Sequence, residues 1–373
     1  MARLDRLALT DFRNYRHLAW RPEAPVTVVT GENGSGKTNL LEALSLLVPG
    51  RGLRGARSAE MARHGTTIWG VAARFTGPDG APFDIATGSD PARPERRVFR
   101  RDGETLRSRA ALADHLSAVW LTPQMDRLFQ DGLPGRRRFL DRLVLALEPG
   151  HARELAAHDQ AMGQRNRLLA AGRADPGWLS ALEDSMARHA VAASAARLAL
   201  VTQLNGEAAH TVPDGFPPAR LDILCPIVQQ LRDRPALAVE DWLRGRLAAG
   251  RACDSARGGA GIGAHRADMA LSDQASGRPA AQASTGQQKA LLLGVVLAHA
   301  ALMTRSRGEA PMILLDEPLV HLDEARRAAL FRSVGAFDAT VLMTGTDADQ
   351  FAPLRGRAGF VSPRNGALDG KPV

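Results

Sequence analysis

The chain of 373 residues contains little cysteine, tyrosine or lysine. Its two cysteines, Cys225 and Cys253, are too few for a disulfide framework or a cysteine-rich zinc site, and they favour a reducing compartment. The longest apolar run, residues 290–303, is shorter than the roughly 20 residues that span a bilayer. The N-terminal residues lack the apolar block of a secretory signal. We therefore expect a cytoplasmic protein that does not span a membrane.

Positive charge is in excess, and arginine carries almost all of it. The formal net charge is +8, and the only lysines in the sequence are Lys37, Lys289 and Lys371. A basic cytoplasmic protein commonly binds a polyanion, above all nucleic acid, although an arginine-rich composition can also reflect coding bias. Aromatic residues make up only 5%, which argues against a surface that stacks single-stranded bases. Contacts to the backbone of duplex or junction DNA are the better expectation.

Arginines are concentrated in three stretches. These are Arg51, Arg54, Arg57 and Arg63; Arg93, Arg96, Arg97, Arg100 and Arg101; and Arg136, Arg137, Arg138 and Arg142. Guanidinium groups gathered on one surface would give DNA affinity that is sensitive to salt and only weakly dependent on sequence. For each stretch the alternative is a solvated basic face without a partner, and the third stretch can also simply begin a helix.

Hydropathy patterns predict an α/β protein with a helical insertion. We expect strands at 4–12, 26–30, 312–315 and 340–343, an antiparallel meander over 67–98, and helices at 38–48, 105–210, 239–256 and 291–303. This pattern divides the chain into an α/β part at 1–105, a mainly helical insert at 106–258, and a part at 259–373 that completes the α/β lobe. The stripe of Leu, Ala and Met in the insert fits core packing better than a partner surface.

A glycine-rich loop is the strongest motif. The pattern G-x-x-x-x-G-K-[ST] is matched between a β-branched strand and a helix by Gly31, Glu32, Asn33, Gly34, Ser35, Gly36, Lys37 and Thr38. Backbone N–H groups of such a loop converge on a phosphate at the positive end of the helix. Lys37 would reach the β- and γ-phosphates, and the Thr38 hydroxyl would ligate Mg²⁺. The loop therefore predicts binding of ATP with Mg²⁺.

Two acids follow a predicted buried strand near the C-terminus. Asp316 and Glu317 come directly after residues 312–315, at the edge where open α/β sheets bind ligands. Asp316 would hold Mg²⁺, directly or through water, and Glu317 would act as the general base on the attacking water. The pattern alone also fits an ordinary strand that ends in a solvated acidic turn. Together with the glycine-rich loop it favours ATP hydrolysis.

A third motif opens the long apolar helix. Ser284 is a candidate N-cap, Gly286 leaves the backbone open, and Gln287 follows, so the helix start is a second anion site. A capped helix without a ligand is the alternative. The segment STGQQK resembles the signature sequence of ABC-type ATPases, in which this helix end touches the γ-phosphate bound by the opposite subunit. Asp323 fits the D-loop of that class. The resemblance implies an ATP-dependent homodimer.

Further segments resemble the RecF family of bacterial recombination mediators. They are LTDFRNY at 9–15, the extended loop at 31–44, RRRFLDRL at 136–143, QRN with LL at 164–169, GAHRAD at 263–268, and ASTGQQKALLL at 283–293. The resemblance runs in order over nearly the whole chain. It implies an SMC-like ATPase that dimerises on ATP, binds DNA, hydrolyses ATP weakly with stimulation by DNA, and helps RecO and RecR to load RecA at gaps. It also implies that Arg13 contacts nucleotide, with a plain surface arginine as the alternative.

Some positions depart from the family pattern. The strand acids are Asp-Glu where the family usually has Asp-Asp. Gln124 stands where an acid is usual, and it could either sense Mg²⁺ as a Q-loop residue or belong to a loop without that role. No switch histidine follows residues 340–343, so Thr346 could sense the γ-phosphate, with slow turnover. His265 could be catalytic or could make a structural hydrogen bond.

Two other functions fit part of the sequence. One is a transporter-type ABC ATPase subunit, against which stand the STGQQ signature, the missing histidine and the long separation between Lys37 and Asp316. The other is a non-catalytic DNA-binding protein that carries a relic phosphate loop. Loss of ATP-dependent DNA retention on replacement of Lys37 would separate this interpretation from an ATPase.

Overall fold

The computed structural model describes residues 2–107, 109–172, 175–211, 215–364 and 366–370. The strands are β1 (Arg3–Phe12), β2 (Tyr15–Trp20), β3 (Val26–Thr30), β4 (Gly70–Thr76), β5 (Pro82–Asp90), β6 (Arg93–Arg101), β7 (Glu104–Thr105), β8 (Ala118–Leu121), β9 (Ala219–Leu224), β10 (Asp268–Asp273), β11 (Met312–Leu315), β12 (Val341–Gly345), β13 (Gly359–Arg364) and β14 (Ala367–Gly370). The α-helices are α1 (Lys37–Ser45), α2 (Ser58–Met61), α3 (Leu133–Leu147), α4 (His151–Ala170), α5 (Pro176–Thr211), α6 (Pro226–Asp233), α7 (Ala236–Ala249), α8 (Arg251–Arg257), α9 (Thr285–Arg307) and α10 (Glu324–Ala336).

The chain forms two compact units. The first unit is built from both chain ends and comprises Met1–Arg127, Glu207–Ala219 and Asp273–Val373. The second comprises Leu128–Gly206 and Arg220–Ser272 and is mainly helical, as expected for the insert. Its boundaries after residues 127 and 272 lie beyond the sequence-based boundaries after 105 and 258.

A largely parallel sheet forms the centre of the first unit. Its strand order is β14-β13-β3-β12-β11-β8, and only the edge strand β14 runs antiparallel to its neighbour. Every residue of β11 is buried, and the β-branched strand β3 is buried beyond its first residue, as is usual for parallel strands that are covered on both faces. The order brings the carboxyl ends of β3, β12 and β11 to one edge of the sheet.

An antiparallel sheet with the order β2-β1-β4-β5-β6-β7 completes this unit. In β4 buried and exposed residues alternate, as they do in a strand with one face on the core, and the predicted meander is confirmed. The buried face shares a hydrophobic core with α1, which contributes Leu40, Leu41, Ala43 and Leu44. The sheet thus supports the helix that follows the glycine-rich loop.

The prediction of an α-helix at the start of residues 105–210 is wrong. Residues 109–114 form a short 3₁₀ helix, and β8 follows as a strand that pairs in parallel with β11. All four residues of β8 are buried, so the sequence lacks the alternation that distinguishes a strand from a helix. Helices do occupy most of the segment from 133 to 211.

The second unit contains a buried ionic cluster. Arg165 is fully buried and bridges two carboxylates, donating to Glu183 Oε1 at 2.9 Å and to Asp254 Oδ2 at 2.8 Å. Its third donor reaches the Leu247 carbonyl at 2.7 Å. Since an unpaired buried charge is costly, these bonds fix how α4, α5, α7 and α8 pack.

Helix α9 is long and has an extended apolar stretch. By length and composition alone it could cross a membrane, but 83% of its apolar window is buried inside the protein. A core helix of a soluble protein passes the same test, so α9 is weak evidence for a membrane span.

Candidate ATP-binding site

The glycine-rich loop has the open backbone that phosphate binding needs. Gly36 has a φ of 110°, and a Cβ there would lie 2.5 Å from Asn14 Nδ2 and 2.8 Å from Tyr15 Oη. The Tyr15 hydroxyl donates to the Gly36 carbonyl at 3.2 Å, and Asn14 Nδ2 donates to the Ser35 carbonyl at 3.1 Å. Burial raises the pKa of Tyr15, which keeps this donor protonated. The first β-hairpin therefore shapes the loop, and position 36 requires glycine.

Lys37 begins α1 and is 5% exposed. Its Nζ donates to the Gly31 carbonyl at 2.7 Å and to the Glu32 carbonyl at 2.9 Å. Burial lowers the pKa of Lys37, and the nearby carboxylates of Glu317 and Asp316 oppose that shift. The ammonium group is thus held at the loop by neutral acceptors, which phosphate oxygens would outcompete as partners.

The rest of the loop is accessible. Glu32, Asn33 and Gly34 are exposed at its tip. Ser35 Oγ is a buried hydroxyl oxygen for which the described residues provide no hydrogen-bond partner. A phosphate oxygen would satisfy this group, as it would the backbone N–H groups of the loop.

Thr38 and Asp316, the two residues predicted to hold Mg²⁺, lie within hydrogen-bond distance of each other. The Thr38 hydroxyl lies 3.0 Å from each carboxylate oxygen of Asp316, which is 4% exposed. Mg²⁺ prefers such hard oxygen ligands and usually takes one or two carboxylates together with substrate phosphates. The two side chains therefore fit a magnesium site. Over the described ranges no cluster of three or more His, Cys, Asp or Glu offers another metal site.

Thr344 completes this cluster, although no sequence motif singles it out. The residue is fully buried on β12, and its hydroxyl donates to Asp316 Oδ1 at 2.7 Å. The Thr344 hydroxyl oxygen also accepts the Glu317 N–H at 2.9 Å. The signal in the sequence that could have identified Thr344 is its place as the polar last residue of the run VLMT at 341–344. Thr346, considered as a phosphate sensor, is exposed just beyond the strand.

Glu317 adopts an unusual backbone conformation. Its φ is 48°, in the left-handed region that non-glycine residues rarely occupy. Its carbonyl accepts a 2.8 Å hydrogen bond from Lys289 Nζ on α9, a contact that sequence reasoning also missed. Lys289 in turn lies 3.2 Å from Asp126 Oδ2. The catalytic candidate is therefore held through its backbone on both sides.

The start of α9 has the predicted capping geometry. Ser284 Oγ accepts the Gln287 N–H at 3.4 Å, and Gln287 Oε1 accepts the Ser284 N–H at 3.1 Å, which is a capping box. Ser284 and Thr285 are exposed. At Gly286 a Cβ would lie 2.6 Å from the His321 carbonyl oxygen, so close packing requires glycine there.

Two other predicted site residues are Asp323 and Gln124. Asp323 is the N-cap of α10, where its Oδ1 accepts the Arg326 N–H at 2.9 Å. Gln124 is exposed on a 3₁₀ helix, Pro123–Arg127, that directly follows β8 beside β11. Their roles toward nucleotide stay predictions.

Arg13 is engaged within the protein. Its guanidinium makes a bidentate contact with Glu42, at 2.6 and 2.8 Å, and donates to the Glu60 carbonyl at 2.6 Å. Glu42 lies on α1, is 1% exposed, and also pairs with Arg54 at 2.9 Å. In this arrangement Arg13 ties the first hairpin to the helix that carries Lys37, and a direct contact with nucleotide stays a prediction.

Two of the three arginine stretches come together in the first unit. Ser58 Oγ donates to the Pro94 carbonyl at 3.1 Å, and Arg97 donates to the Gly50 carbonyl at 3.4 Å. Several arginines are used internally, including Arg54, Arg63 with Asp11, and Arg136 with Asp268. The members that are exposed around β6 are Arg51, Arg57, Arg93, Arg96 and Arg100, and we call them the β6 basic surface.

Comparison with known proteins places the chain in a family. A sequence model described as the RecF/RecN/SMC N-terminal domain matches residues 3–354. The DNA replication and repair protein RecF of Mesorhizobium japonicum is 44% identical over 370 residues, which cover 98% of this chain and 97% of that protein. The RecF of Rhizobium rhizogenes is 43% identical over 373 residues and 98% of each chain. The chain belongs to the RecF family.

Solved structures agree in fold. The structures described as the recombination mediator protein RecF with ATPrS and with ATP, both in the RecFOR pathway, match with TM-scores of 0.85 and 0.84 at 20% identity. Each match covers 99% of this chain, and 98% and 99% of the other. An Smc head domain from Pyrococcus furiosus matches with a TM-score of 0.54 at 14% identity, over 100% of this chain and 96% of that one. The ABC-type head fold shared by RecF and SMC proteins, predicted from the motif order, is confirmed.

Proposed function

We propose that this chain is an ATP-dependent DNA-binding protein of recombinational repair and replication-fork maintenance. Its ATP-bound homodimer would clamp DNA and help RecO and RecR to load RecA at gaps, and slow, DNA-stimulated hydrolysis would reset it in the cytoplasm. The observation that carries the proposal is the bonded set of Thr38, Asp316, Thr344 and Glu317 beside the glycine-rich loop. Family membership supports the repair role and removes the support for a transporter subunit.

ATP would bind with its phosphates on the loop and α1. Backbone N–H groups and Lys37 would hold the phosphate oxygens, while Thr38 and Asp316 would hold Mg²⁺, which neutralises charge on the phosphates. In hydrolysis, the oxygen of water forms a bond to the γ-phosphorus as the bond to the bridging oxygen breaks. Glu317 would accept the proton of that water.

Dimerisation would depend on the γ-phosphate. The exposed, capped start of α9 presents free N–H groups and the positive end of the helix dipole. In the ABC class this end meets the nucleotide of the opposite subunit. Each ATP would then join two subunits, and hydrolysis would remove the bridge.

The primary test replaces Lys37 with Met. We expect the variant to lose ATP binding, ATP-dependent dimerisation and ATP-dependent retention on gapped duplex, as measured by fluorescent-nucleotide binding, analytical ultracentrifugation and filter binding. Salt-sensitive DNA binding without ATP should remain. If retention on DNA with ATP is unchanged in K37M, the protein is instead a DNA-binding protein with a relic loop.

The β6 basic surface is the proposed DNA contact. Its arginines come from two separate stretches and lie around one strand, where they could neutralise consecutive phosphates. A double change of Arg93 and Arg96 to Gln should reduce the slope of log affinity against log salt by about 2, since each phosphate contact contributes about 0.9. Arg188→Gln, an exposed arginine of the second unit, is the matched control. An unchanged slope in the double variant would refute this contact surface.

A further inference from the structure

Lys289 is a buried lysine with two specific contacts. The residue is 1% exposed, and its Nζ donates to the Glu317 carbonyl at 2.8 Å and to Asp126 Oδ2 at 3.2 Å. Burial lowers the pKa of Lys289, and Asp126 opposes that shift. Burying an ammonium group is costly unless it is paired and hydrogen-bonded. A leucine would fill this position in a plain core helix at lower cost, so the contacts themselves need an explanation.

The contact with Glu317 bears on its strained backbone. A left-handed φ for a non-glycine residue costs free energy and persists only where the surroundings enforce it. At Glu317 the enforcing groups are Thr344, which accepts the N–H, and Lys289, which donates to the carbonyl. Because both peptide groups of Glu317 are fixed, the direction of its Cα–Cβ bond, from which the side chain extends, is fixed as well.

The same lysine lies on the helix whose start carries the signature motif. Ser284 precedes it by five residues, about 7.5 Å along a helix axis. Between them, Gly286 packs tightly on the backbone of His321. A helix is stiff over this length. A shift of its start therefore moves the Lys289 ammonium group and, through their hydrogen bond, the Glu317 carbonyl.

We propose that Lys289 is a positioning residue that orients Glu317 for hydrolysis within its own subunit. Through α9 it makes this orientation depend on whether the start of that helix is engaged by nucleotide bound to the partner. The inference rests on the proposed function, because it assumes a dimer with two shared ATP sites. In this proposal Lys289 links the two ATP sites of the dimer.

Mixed dimers with one working site test the proposal. The reference pairs a wild-type subunit with an E317Q subunit, so that only the wild-type Glu317 hydrolyses ATP. In the first test dimer K289M lies in the subunit with the working Glu317, opposite E317Q. In the second, K289M and E317Q lie together, opposite a wild-type subunit. Both test dimers carry the same two substitutions. Single-turnover hydrolysis and ATP affinity are measured for each after purification through two different tags.

The first test dimer should hydrolyse at least about tenfold more slowly than the reference, because small misplacements of a catalytic group cost that much or more. Its ATP dissociation constant should stay within about threefold. The second should match the reference within about twofold, which also shows that a K289M subunit folds and dimerises. Equal slowing of both dimers, slowing of the second alone, or a wild-type rate in the first would each overturn the role of Lys289. A reference dimer that fails to form or to hydrolyse with ATP would instead overturn the proposed function.

Discussion

Replacing Thr344 with Val tests whether this hydroxyl organises the ATP site. The residue is fully buried, and one oxygen both donates to Asp316 at 2.7 Å and accepts from the Glu317 N–H at 2.9 Å. Valine has nearly the same shape, so the change removes two hydrogen bonds and leaves packing almost intact. Serine at the same position is the control, because it retains the hydroxyl and loses only a methyl group.

The expected loss in the free energy of unfolding follows from the hydrogen-bonding groups that T344V leaves without this partner, the Glu317 N–H and the Asp316 carboxylate. A buried N–H without a partner costs about 1–3 kcal/mol, and a hydrogen bond to a carboxylate contributes about 1.5–3 kcal/mol. Asp316 keeps its contact with Thr38, which limits the loss. We therefore expect T344V to lower the free energy of unfolding of the first unit by about 2–4 kcal/mol, and T344S by about 1 kcal/mol.

The substitution should also slow ATP hydrolysis. Without the hydroxyl, the Glu317 N–H loses the partner that holds its left-handed backbone, and Asp316 can rotate away from its place beside Thr38. Single-turnover hydrolysis in T344V should fall at least about tenfold, while T344S stays within about threefold of wild type. Denaturant titration followed by tryptophan fluorescence gives the stability. If T344V and T344S agree in both stability and rate, the hydroxyl does not organise the ATP site.

Three further predictions concern other parts of the molecule. Gly36→Ala should abolish ATP binding in a fluorescent-nucleotide assay, since φ is 110° and its Cβ would overlap the side chains of Asn14 and Tyr15; wild-type affinity would contradict this. Arg165→Met should lower the free energy of unfolding of the second unit by about 3–5 kcal/mol in denaturant titrations, because it removes the partner of the buried Asp254 Oδ2 and one of the two arginine partners of Glu183, which keeps Arg251, whereas the exposed Arg188→Met should cost less than about 0.5 kcal/mol. Burial lowers the pKa of His265 from 6.5 to about 4, so between these values the unfolded chain binds a proton that the folded chain does not. Stability should therefore fall as the pH drops from 6.5 to 4, and His265→Asn should flatten that fall by about 1–3 kcal/mol; an unchanged profile would refute the assignment.

The sequence predicts those parts of the site that are contiguous in the chain. The glycine-rich loop, the strand acids and the capped start of α9 each carry their chemistry within a few consecutive residues, so pattern and flanking hydropathy suffice. Thr38 lies at the start of α1, the helix that follows β3, and Asp316 directly follows β11, so their pairing depends on the order of the strands in the sheet. The domain boundaries and the individual roles of site residues stay predictions.

Contacts between distant segments could not be predicted in this way. Thr344 and Lys289 approach Glu317 only because β12 and α9 pack beside β11, and no local pattern marks either contact. The strand β8 was missed because complete burial removes its alternation. The union of two arginine stretches around β6 also depends on tertiary contacts, through Ser58 and Arg97.

Two of the few lysines of this chain mark positions of the ATP site. Lys37 and Lys289 are both buried, and both donate to backbone carbonyls at the ATP site, the first to Gly31 and Glu32 and the second to Glu317. An ammonium group is compact and directs three donors around one point, whereas a guanidinium is a planar fork that suits carboxylates. Lysine suits positions 37 and 289 because several oxygens must be reached there from one small, enclosed position. Arginine is therefore not a conservative replacement at either site, even though it preserves the charge.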